Sequence, residues 1–132
     1  METLIENSAE ILLLLFLVIT FLQSGIDKIL DWKGNVSWLT DHFSKSPMKG
    51  IVPGMLVTVL LAEGLAGLLC LIGLYQIIFD GGGNMALYGA IASCISLLML
   101  LFGQRMAKDY EGAKTIVIYF IPAVFLVFLL QS

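Results

Sequence analysis

Four long apolar stretches alternate with three polar connections along this chain. The first stretch is expected to span about Ala9 to Leu30, around the strongly apolar centre Ile11 to Leu22. Its second half carries Thr20, Gln23, Ser24 and Gly25, so it crosses a bilayer only if those groups face other helices rather than lipid. A polar connection from Asp31 to Gly50 follows, broken by Gly34, Pro47 and Gly50. Inside it, Trp38, Leu39, His42 and Phe43 share one helical face. A short interfacial helix is expected there, with Ser37 as its N-cap and Trp38 as its anchor.

The second span is expected over about Pro53 to Leu74, with Pro53 in the first turn, where a missing N–H costs little. Three glycines between Asp80 and Asn84 make a turn and not a phosphate loop, since no GK[ST] follows. The third span covers about Met85 to Phe102. Its Gly89, Ser93 and Ser96, together with Gly103, form a stripe of small residues that lets helices approach closely. The connection GQRMAKDYEGAK leads to a fourth span over about Thr115 to Leu130. Pro122 inside it leaves the Ile118 carbonyl without its helical donor, and a kink is expected there.

Composition agrees with this pattern. Of 132 residues, 59% are hydrophobic and 13% charged, against about 25% charged in soluble domains. Mean hydropathy is +0.98. A crossing helix takes roughly 20 residues, so four spans and their connections use up the chain. The expected fold is an all-α membrane protein, a four-transmembrane-helix bundle with a short interfacial helix in the first connection. The opening METLIENSAE has three glutamates and no basic residue, so the first apolar run reads as a retained span rather than a signal peptide.

Charge sets the expected orientation. All seven Lys and Arg residues lie in or beside the first and third connections. The positive-inside rule then places those connections in the cytoplasm and both termini outside; the expected location is a bacterial inner membrane. In that frame Glu63 lies about ten residues into the second span, roughly 15 Å deep. Counting along the helices finds no basic residue at that depth. Glu63 is therefore expected to be a neutral acid hydrogen-bonded across helices, in a polar cluster with Thr20, Gln23, Ser93, Ser96 and Tyr119. Gly67 and Cys70 continue its helical face, which is expected to pack on the small stripe of the third span. The rival reading makes Glu63 catalytic, as a proton-relay or quinone-facing acid.

Asp27, Lys28, Asp31 and Arg105 form an expected interfacial charge cluster. Within it Lys28 can pair with Asp31 at i+3, and Arg105 with Asp27 or Asp31. Cys70 and Cys94 lie in apolar runs outside any CxxC motif and read as small buried side chains. His42 is the only histidine, so no metal site and no haem site is expected. No Ser–His–Asp or Cys–His arrangement is present, and no basic stripe for nucleic acid.

The segments LFLVITFLQSGIDKIL, WLTDHFSKSPMKGIVP and LLAEGLAGLLCLIGL together resemble the DoxX-like family of small four-helix membrane proteins. The matching positions are Gly25, Lys28 and Ile29 in the first span. In the second they are Glu63, Gly64, Gly67, Gly73 and Leu74. The chain has Gln23-Ser24 where the family often has a His before the first-span glycine, so no role for such a His carries over. The resemblance implies association with membrane redox systems and quinones. The leading expectation is an accessory subunit of a larger membrane complex, of a respiratory or quinone-linked kind, not catalytic alone. The alternatives are a quinone-interacting oxidoreductase component using Glu63, and a small transporter or proton-conducting protein. Expected partners are the bilayer and other complex subunits or further copies of the chain. No intrinsic cofactor is expected, with quinone the candidate ligand.

Overall fold

A computed structural model describes residues 5–44, 49–80 and 84–131. Within them the chain forms α1 (Ser8–Leu30), α2 (Trp32–His42), a short 3-10 turn (Lys49–Ile51), α3 (Val52–Asp80), α4 (Met85–Met106) and α5 (Tyr110–Gln131). The protein is an all-α four-helix membrane bundle: α1, α3, α4 and α5 are each long and apolar enough to cross. The glycine turn after Asp80 lies outside the described residues.

The helices outrun the expected spans. α3 continues six residues past Leu74 to Asp80, α4 continues four past Phe102 to Met106, and α5 starts five before Thr115, at Tyr110. Apolar runs underestimate them because polar and charged residues prolong a helix once it leaves the hydrocarbon. α2 starts at Trp32, so Ser37 is not its N-cap but an exposed residue in its middle. α5 runs through Pro122 without interruption.

Small residues fill the α4 side of the core, α1 supplies large apolar ones, and large apolar side chains also cover the outside. On α1 the buried positions are Ile11, Leu14, Leu17, Phe21 and Gly25, one face at three- and four-residue spacing. On α4 they are Ala86, Gly89, Ala90, Ser93, Ser96 and Leu97. Leu61, Leu68, Ile121 and Phe128 point outward and are exposed. A soluble bundle would not leave so many large apolar side chains outside. Lipid tails solvate the leucines, so helix association rests on close packing at the small residues.

The main interfaces join α1 to α3, α3 to α4, and α4 to α5, with a thinner seam between α1 and α5. α3 and α4 touch backbone to backbone. A Cβ built on Gly89 would lie 2.6 Å from the Cys70 nitrogen, and one on Gly73 would strike the Ala86 backbone. These contacts bear out the packing of Cys70 on the small stripe. Gly67 departs from that expectation: it faces α1, where an added Cβ would lie 2.8 Å from Leu22 Cδ2.

The α4–α5 turn is tightly specified. Lys108 N–H donates to the Arg105 carbonyl at 3.1 Å and Asp109 N–H to the Gln104 carbonyl at 2.9 Å. That is the Schellman closure, with Lys108 rather than glycine in the left-handed position at φ 60°. Asp109 then caps α5, its Oδ1 accepting from Gly112 N–H at 2.9 Å. Lys108→Gly is expected to stabilise the bundle by up to about 1 kcal/mol, read as a raised unfolding midpoint in detergent.

Candidate functional site: an apolar cavity beside a buried ion pair

Glu63 is 2% exposed in the middle of α3, and it has a counter-charge. Lys28 Nζ lies 2.9 Å from Glu63 Oε1, and the same ammonium donates to Ser24 Oγ one turn back on α1. The contact with Oε1 is a close charge contact rather than an aligned hydrogen bond. The expectation of an acid without a basic partner is thus corrected. The reason is direction. Side chains on a helix lean toward its N-terminus. On α1 that lean carries the four-carbon stem of Lys28 into the bundle, past Ser24 to Glu63. Counting depth from backbone positions leaves the stem out.

The charge cluster expected at the end of α1 is rearranged accordingly. Lys28 pairs with Glu63 and not with Asp31. Asp27 and Asp31 are exposed. Arg105 pairs with neither of them; its guanidinium sits 5.1 Å from the centroid of the Tyr110 ring.

The other expected members of the Glu63 cluster divide. Ser93 and Ser96 are buried. Ser93 Oγ donates to the Gly89 carbonyl at 2.8 Å and lies 3.6 Å from Cys70 Sγ. Ser96 Oγ has no hydrogen-bond partner among the described residues. The antiparallel register set by Gly73 with Ala86 and Gly89 with Cys70 brings Ser96 level with Glu63. Thr20 is half-buried, and Tyr119 packs on the core with its ring 6.0 Å from Phe16. Gln23 is exposed on α1, off the face that meets α3. Its neighbour Ser24 supplies the polar group instead. Both cysteines are free thiols.

Lys28 also opens onto a cavity of about 900 Å³. Its walls are the first two turns of α3 (Val52, Met55, Leu56, Val59), the last turns of α4 (Ile95, Leu98, Met99, Phe102) and the inner side of α2 with Phe43. Ile51, Leu98 and Phe102 are exposed, so the cavity opens on the outer surface of the bundle, where lipid lies. The polar groups on its wall are few: Lys28, Asn35, Thr58 and Gln104. A mostly apolar concavity with a few convergent polar groups is the usual form of a small-molecule site.

At the far end of α2, His42 ties this wall to α4. Its Nε2 lies 3.0 Å from Gln104 Oε1 and 3.3 Å from Asp109 Oδ2. A hydrogen on Nε2 would serve Gln104 as a hydrogen bond, with the Asp109 carboxylate a close polar contact beside it. The ring stacks on Trp38 at 4.7 Å and meets Phe43 edge-on at 5.3 Å. Sequence reasoning placed His42, Trp38 and Phe43 on one face but missed Gln104 and Asp109, which lie across a tertiary contact. The one available signal was that both flank the polar turn on the same membrane side as His42.

No group of three or more His, Cys, Asp or Glu side chains able to hold a metal occurs among the described residues. Compared with known proteins, the chain matches no family model, and no similar curated protein or solved structure is found.

Proposed function

We propose that this protein binds a quinone-class amphiphile in the α3–α4 cavity and serves as an accessory component of a larger membrane complex. The observation that carries this reading is the lipid-facing cavity of about 900 Å³ with Lys28 on its wall and Glu63 balancing the charge of Lys28. The balanced pair favours a neutral headgroup over a phosphate, which would need net positive charge. An ammonium has three N–H donors. Two of those on Lys28 face Ser24 and Glu63, which leaves one for a headgroup carbonyl. The apolar walls suit a ring and the start of an isoprenoid tail. The resemblance to DoxX-like proteins supports the redox setting.

In this reading the chain sits in a bacterial inner membrane with both termini outside. Lys28 now belongs to the bundle interior. The other six basic residues (Lys33, Lys45, Lys49, Arg105, Lys108 and Lys114) still fall on the first and third connections or beside them, which supports that orientation.

Trp38 lines the cavity and reports its occupancy. In lipid nanodiscs carrying the Trp32→Phe variant, a short-chain quinone is expected to quench Trp38 saturably. Val59→Phe, which fills the cavity, is expected to weaken that quenching about tenfold, roughly 1.4 kcal/mol. Quenching that rises linearly with quinone and ignores Val59→Phe rejects the binding reading. Mild detergent extraction that returns the chain without redox subunits rejects the accessory role.

A further inference from the structure

We propose that α2 is a lid over the cavity and that His42 is the clip that holds it shut, with Asp109 as the fixed end of the clip. The proposal rests on the cavity being a ligand site. It assigns how access to that site is controlled.

α2 is weakly held. It has eleven residues, none of them buried. A helix of that length is marginal on its own. Its side-chain hydrogen bonds from Asn35 and Thr40 stay within its own turn. Among the described residues its one polar link to the rest of the bundle is His42. Yet α2 supplies a whole wall of the cavity, through Asn35, Trp38 and Leu39, with Phe43 just beyond. Moving α2 away removes that wall.

The other end of the clip is rigid. Asp109 Oδ1 is committed to Gly112 N–H at the start of α5, and its backbone N–H closes the α4 terminus. Both bonds orient the carboxylate, so Oδ2 is presented to His42 at 3.3 Å. Gln104 accepts from the same nitrogen and also lines the cavity. One imidazole therefore joins a weakly packed wall to a tightly specified one. His42 and Asp109 act as positioning residues and need not touch the ligand.

Two measurements in nanodiscs test this. The first is hydrogen exchange of residues 32–42 without ligand. The second is the rate of Trp38 quenching by a short-chain quinone in the Trp32→Phe background. His42→Phe keeps the ring stack and removes the donor. It is expected to raise α2 exchange about tenfold, and to raise both association and dissociation rates of the quinone. Asp109→Asn retains a cap oxygen for Gly112 but turns the acceptor facing His42 into a donor, and a smaller rise is expected. His42→Gln keeps an N–H in reach and is expected to stay within about twofold of the parent. Unchanged α2 exchange in His42→Phe overturns the clip whatever the ligand does. Faster exchange with unchanged quinone rates overturns the lid. No saturable quenching even in the parent overturns the ligand reading, and the lid's role with it, leaving His42 as a structural tie.

Discussion

Lys28→Met is expected to destabilise the folded bundle by about 3–5 kcal/mol, because it leaves the carboxylate of Glu63 buried without its counter-charge. Glu63→Gln is expected to cost less. The side chain of Lys28 is 18% exposed and that of Glu63 3%, and a lysine freed of its partner can carry its ammonium back along its stem to the interface. Glu63 has no such route from the middle of α3. The double variant Lys28→Met, Glu63→Leu is expected to recover most of the loss, since replacing a buried pair by apolar groups is often neutral or stabilising. Unfolding midpoints in detergent read the series. The expected order places parent and double variant together, Glu63→Gln below them and Lys28→Met lowest. A double variant no better than Lys28→Met would contradict the ion-pair account. If the pair also seats a quinone headgroup, the double variant folds but loses saturable Trp38 quenching, which separates the pair's structural and binding roles.

Gly89→Ala and Gly73→Ala are each expected to destabilise by about 1–3 kcal/mol, the range for overpacked sites. The obstacle in both cases is backbone, and no rotamer change relieves it. The added methyl of Gly89→Ala would meet the Cys70 nitrogen at 2.6 Å and the Cys70 sulfur at 2.9 Å, and that of Gly73→Ala would meet Ala86 Cα and N. The helices must separate, which strips van der Waals contact from an interface that has no hydrophobic drive in lipid. Gly64 is the control. Nothing lies within 4 Å of a Cβ built there, so Gly64→Ala is expected to leave stability unchanged or slightly raised. Equal losses at all three glycines would show that helix flexibility, not helix contact, is what they supply. Because Cys70 and Ser93 sit at the same crossing, the damage is expected to spread toward Glu63.

The fold was legible because its signals are long and repeated. Four apolar runs, a small-residue stripe on the third and an amphipathic segment in the first connection are each carried by many residues. The α3–α4 packing followed from that stripe, and Gly89 against Cys70 bears it out. The site was less legible because single side chains decide it. Lys28 reads as a connection residue by position and becomes an interior residue by reach. Gln23 and Ser24 are adjacent, and which of them faces α3 depends on a rotation of about 100° that polarity alone does not settle. Gly67 lies on the Glu63 face, but that face is shared between two neighbouring helices, and Gly67 took the α1 side. The cavity is a gap between elements, so no stretch of sequence announces it.

The extra turns of α3 bear on the kind of membrane that suits this protein. Twenty-nine helical residues make a rod about 44 Å long, against a hydrocarbon core of about 30 Å. The surplus of about 14 Å must tilt or stand clear of the lipid tails. Tyr75 and Phe79, exposed and 4.9 Å apart near the Asp80 end, belong to the kind of aromatic girdle that rests at headgroup level. They anchor the Asp80 end at the headgroups, while the packing of α3 on α1 and α4 sets its lean, so surplus length is taken up by the bundle as a whole and by turns that stand clear of the lipid tails.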